Sequence, residues 1–96
     1  APKVLDEEGR EVYGTKFAKW DYVLKVGLVG YASSLKEAKA DPRTGDRPLI
    51  VKAIKVSGKT DPVISSDDAR RIHALADGKP VLAECRVVFV TEEVKR

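Results

Sequence analysis

A chain of 96 residues carrying 18 Lys and Arg against 15 Asp and Glu, for a net charge of +3, is bounded before any motif is read. It makes one domain over residues 1–96, long enough to bury somewhat more than ~60% of its unfolded surface in a single modest core without metals or disulfides. The mild basic excess lacks the dense stripe of a nucleic-acid binder, which argues against nucleic acid as a partner, and no apolar run approaches the ~20 residues of a membrane span.

The chain opens Ala1-Pro2 without Met and without a signal-peptide pattern; it is expected to have been processed or cut from something longer. The lone Cys85 has no partner for an internal disulfide and is expected as a small buried apolar side chain.

Residues 3–6 and 11–13 are short extended pieces on either side of Glu7-Glu8-Gly9-Arg10, where Gly9 can supply the positive φ of a hairpin turn. Thr15 is then placed to cap a helix over 16–26. Phe17, Trp20, Val23 and Leu24 form its apolar stripe, Lys16, Lys19 and Lys25 occupy other faces, and Gly27 stops it. Such a stripe is expected in the core. Residues 28–32 read as a short strand or a linking segment.

Ser34 and Glu37 have capping-box spacing for a short second helix that Asp41-Pro42 ends, since a residue before proline is pushed out of helical geometry. Residues 42–48, with Arg43 and Arg47, are expected as a solvated connection rather than a partner contact. Residues 49–56 form the second strong strand; Lys52 and Lys55 fall on opposite parities, which a β-bulge near Ala53 would explain. Residues 57–62 are expected as a loop. Gly58-Lys59-Thr60 resembles the end of a phosphate loop, but Ala53 stands where its first glycine belongs and Pro62 where its helix should begin.

Ser65 or Ser66 caps the clearest helix, with Asp67 and Asp68 at its positive end and Ala69, Ile72, Leu75 and Ala76 as the buried stripe. Arg70, Arg71 and His73 project elsewhere, and Asp77-Gly78 with Pro80 closes it. The longest β-prone run is 81–91. Val81, Ala83, Cys85, Val87 and Phe89 share one parity while Glu84 and Arg86 share the other, and a strand with neighbours on both edges is expected. Residues 92–96 form a charged tail.

These residues assemble no chemistry. His73 has no second histidine or cysteine at ligand spacing, Asp67 and Asp68 are accounted for by the helix macrodipole, and no nucleophile has a base. Arg70 and Arg71 do not sit in a helix-turn-helix. No catalytic, cofactor-binding or metal-binding residue is expected, and the chain is read as not an enzyme.

Three stretches nevertheless occur in a familiar order: Lys3-Val4-Leu5-Asp6-Glu7-Glu8-Gly9-Arg10-Glu11-Val12-Tyr13-Gly14, then Gly27-Leu28-Val29-Gly30-Tyr31-Ala32, then Asp41-Pro42-Arg43-Thr44-Gly45-Asp46-Arg47-Pro48-Leu49-Ile50-Val51-Lys52-Ala53. Thr60-Asp61-Pro62-Val63-Ile64-Ser65, Asp68-Ala69 and Cys85-Arg86-Val87 follow. As an ordered set this resembles the C-terminal half of LPP-type bacterial lipoproteins, relatives of the flagellar T-ring assembly protein FlgT. The resemblance implies an exported α+β module for envelope or motility-apparatus assembly, periplasmic and held at the outer membrane by an upstream lipid anchor, with no family catalytic residues to carry over. The extended Thr-Gly-Leu-(Ile/Val)-Val-Asp-Ala-Arg-Gly stretch that usually precedes the hairpin in that family is absent. Its absence is expected to leave an open sheet edge through which the fragment self-associates.

The expected fold is therefore α+β: a small antiparallel or mixed sheet containing the 49–56 and 81–91 strands, with two to three helices packed on it. The expected function is a non-enzymatic periplasmic structural or interaction module whose partners are envelope or motility-apparatus proteins. The alternative is a weakly basic domain for an anionic ligand, nucleic acid or a lipid headgroup, contacted through Arg43, Arg47, Lys52, Lys55, Arg70 and Arg71.

Overall fold

The computed structural model describes residues 1–91; the tail expected over 92–96 lies outside them. The first hairpin forms as expected, from β1 (Val4–Leu5) and β2 (Glu11–Tyr13). Gly9 takes φ 79° in its turn, and Asp6 organises the rest. One Asp6 oxygen accepts the backbone N–H of Glu8 and of Arg10, each at 2.9 Å, while the other accepts Arg10 Nε at 2.9 Å. A carboxylate holding three donors freezes the turn and with it the strand register.

β1 is the inner strand of a mixed sheet. It pairs antiparallel with β2 and parallel with β5 (Asp61–Val63), which in turn pairs antiparallel with β4 (Lys55–Ser57), giving the order β2-β1-β5-β4. A second, two-stranded parallel sheet joins β3 (Gly30–Ala32) to β6 (Val88–Val90), with Tyr31 opposite Phe89. Three helices, α1 (Trp20–Val26), α2 (Leu35–Ala40) and α3 (Ser66–Ala76), complete the described chain. The fold is α+β with a mixed sheet, as the sequence predicts.

Two caps are the expected ones. Ser34 Oγ accepts the Glu37 N–H at 3.1 Å to open α2, and Ser65 Oγ accepts the Asp68 N–H at 3.0 Å to open α3. The core is a cluster of Val4, Val12, Tyr13, Leu28, Val29, Ile64, Ala69, Leu82 and Cys85, against which Phe17, Tyr22, Val23, Ile72, Val87 and Phe89 pack. Full burial of an aliphatic side chain contributes about 1.5–3 kcal/mol, so Val12 in the middle of β2 and Ile64 just after β5 are major contributors.

Several expectations are corrected. Residues 81–91 are not one strand: strand geometry is confined to Val88–Val90. The preceding segment winds into a turn in which Glu84 N donates to Pro80 O at 2.9 Å, Cys85 N to Leu82 O at 3.1 Å and Arg86 N to Val81 O at 3.1 Å. Winding places Leu82 and Cys85, three apart, on the same inward side, which a period of two cannot do. Cys85 is 0% exposed, buried as expected but at φ 57° rather than in extended backbone.

The 49–56 strand shrinks to Lys55–Ser57, and the expected 57–62 loop is instead its hairpin with β5, turned at Gly58 with φ 61°. Of the apolar residues from 49 to 56, Val51 packs on the core while Ile50, Ile54 and Val56 stay exposed. Their alternation does not mark a buried strand face. The two long strands expected in one sheet thus contribute short segments to two different sheets.

The first helix begins at Trp20 rather than Lys16, and Thr15 does not cap it; residues 14–18 form a turn with Phe17 N donating to Gly14 O at 3.0 Å. Lys19 N donates to Ala83 O at 2.9 Å, which ties the helix start to the 81–85 turn. That anchor sets the helix phase by Tyr22 and Val23, so Trp20 and Leu24 face outward at 66% and 70% exposure. Leu75 likewise leaves the predicted stripe of α3 and is exposed, whereas Ala69 is buried and Ile72 packs on the core.

Candidate interaction surfaces

The polar groups nearest the core hold the chain's own backbone. Tyr13 Oη donates to Leu28 O at 2.6 Å in a buried position. Burial first, and then the neighbouring Cys85 thiol, hold the phenol well above its ordinary 10.

Arg43 is the larger departure from the sequence reading. Asp41 carboxylate accepts the Arg43 N–H at 2.9 Å and Thr44 Oγ1 donates to Asp41 O at 2.8 Å, which fixes the short 3-10 turn Pro42–Thr44. From there the guanidinium donates to Gly27 O at 3.3 Å, to Cys85 O at 3.2 Å and to Val26 O. It caps the carbonyl end of α1 and bolts that end to the 81–85 turn. A solvated connection was expected; the structure makes it a clamp.

The other candidate anion contacts divide. Arg70 pairs with Asp67, and Arg71 with Asp68 at 2.7 Å, each along α3. Arg47, Lys52 and Lys55 are exposed and take part in no ion pair among the described residues. Three of the six cations are therefore engaged internally.

Two shallow clefts flank α3. One, of about 340 Å³, is lined by Phe17, His73, Asp77, Lys79 and Leu82. The other, of about 280 Å³, is lined by Asp6, Arg10, Glu11, Arg70 and His73. His73 stands between them, stacked on Phe17 with ring centroids 5.6 Å apart and with Nε2 2.9 Å from Val12 O. That contact needs Nε2 as donor, so the ring ties α3 to β2. Among the described residues no group of three or more His, Cys, Asp or Glu could hold a metal ion, and none of the described helices is long and apolar enough to cross a membrane.

What remains for recognition is exposed apolar surface. Trp20 and Leu24 lie one helical turn apart on α1. At the edge of the four-stranded sheet, Val56 of β4 and Ile54 just before it are each 57% exposed. Sequence periodicity put Trp20 and Leu24 in the core because it could not see the Lys19–Ala83 anchor.

These features define a small α+β module whose buried Asp6 and Tyr13 are held by its own backbone and side chains, with open apolar patches at its surface. The chain belongs to the family described as Treponema pallidum Tp0624, second domain, which residues 1–93 match. No curated protein matches it. The family match does not bear on the resemblance to LPP-type lipoproteins and FlgT.

Proposed function

We propose that the chain is a non-enzymatic interaction module of the bacterial envelope, acting in the periplasm at the outer membrane in envelope or flagellar assembly. The observation that carries the interaction reading is the Trp20–Leu24 pair: a tryptophan and a leucine turned outward together on one helix are characteristic of a partner-facing surface. The internal engagement of Asp6, Tyr13 and Arg43 agrees with it, because these groups stabilise backbone rather than face a substrate. The envelope setting rests on the sequence resemblance alone.

The test is capture from envelope extract by the chain and by a Trp20→Ser/Leu24→Ser variant. Both changes lie at exposed positions, where substitutions typically move stability by about 0.5 kcal/mol or less. Recovery of envelope or motility components by the parent chain and not by the variant supports the reading. Equal recovery, or none by either, overturns it.

A further inference from the structure

The edge of the four-stranded sheet carries a second, independent signal. β4 ends the strand order, so among the described residues its outer side offers backbone donors and acceptors that no other strand takes up, and all three of its residues are exposed. Ile54 and Val56 project from alternate positions at 57% exposure each.

The charge along this segment has one sign. Residues 49–60 hold Lys52, Lys55 and Lys59 and no Asp or Glu, and none of these lysines takes part in an ion pair among the described residues. Two copies of the 49–60 segment laid edge to edge would bring six lysines together, and like charges placed across a strand pair are destabilising. Self-association through this particular edge is thus opposed by its own charge.

We infer that the β4 edge accepts an extended acidic segment of a partner protein, added as a fifth strand whose apolar residues lie beside Ile54 and Val56 and whose carboxylates answer Lys55 and Lys59 on the other parity, with Lys52 adding to the positive field of the edge. Main-chain pairing supplies the binding geometry, and the lysines select against neutral or basic strands. The inference rests on the interaction-module reading but uses a different surface from Trp20 and Leu24.

The probe is an acetylated octapeptide alternating valine and glutamate, titrated into the isotope-labelled chain while backbone amide signals are followed. Perturbation centred on Ile54, Lys55, Val56 and Ser57, weakened about tenfold or more in a Lys55→Glu/Lys59→Glu variant and also by raised salt, is the expected result. A peptide N-methylated on the residues facing the edge should not bind, which tests strand pairing without altering the protein. Absence of perturbation at β4, equal binding of a valine–lysine peptide, or concentration-dependent dimerisation that broadens the β4 signals overturns the inference. Should the β4 signals stay silent while Trp20-dependent capture persists, the interaction reading survives and this site does not; loss of that capture with β4 binding intact gives the converse.

Discussion

The Arg43 guanidinium donates to the backbone carbonyl of Cys85 at 3.2 Å, across 42 positions of chain, while its other contacts close the last carbonyls of α1. A single planar cation thus joins a helix end, the 81–85 turn and the loop that bears it. Charge-assisted bonds of this kind are individually about 1.5–3 kcal/mol and not additive. Arg43→Ala is expected to cost about 2–3 kcal/mol in denaturant unfolding. Arg43→Lys should recover little of that, because an ammonium cannot span carbonyls arranged for a fork.

Gly30 reports on the same clamp. A Cβ there would stand 3.2 Å from Arg43 Nε, 3.3 Å from its Cζ and 3.3 Å from Asp41 Oδ2. Gly30→Ala should therefore destabilise the parent chain by about 1 kcal/mol and cost much less in an Arg43→Ala background. Unfolding of the two single variants and the double variant measures that coupling.

Tyr13→Phe removes the donor to the buried Leu28 carbonyl and should cost about 1–3 kcal/mol. Because burial raises the folded phenol above its ordinary 10, its stabilising contribution is complete below that value and is lost as pH climbs through the raised one. In an alkaline titration the phenolate absorbance absent from Tyr13→Phe should appear only with unfolding.

Asp6 gives the acid counterpart. Burial alone would raise its carboxyl, but the Arg10 N–H and guanidinium and the Glu8 N–H outweigh that and hold it below its ordinary 3.8. Its contribution is present above 3.8 and disappears as pH falls through the depressed folded value. Asp6→Asn should flatten the loss of thermal stability in that acid window and leave its slope near neutrality unchanged.

Local chemistry was legible where neighbours in sequence settle it. The Gly9 turn, the Ser34 and Ser65 caps, the Asp41-Pro42 stop, the Gly27 end of the first helix and the α+β class all follow from interactions within a few residues. Each satisfies its own backbone groups, so short-range rules suffice. Trp20, Leu24, Arg43 and the 81–85 turn were decided elsewhere. The Lys19–Ala83 hydrogen bond set the phase of α1 and turned two large apolar side chains outward. The need to bury Leu82 and Cys85 together wound a β-prone segment, and open carbonyls at Val26, Gly27 and Cys85 drew in an arginine that read as solvated. Periodicity records which residues are apolar, but the side of an element that meets the core is chosen by contacts between distant segments, and the patches left for partners are what that choice leaves uncovered.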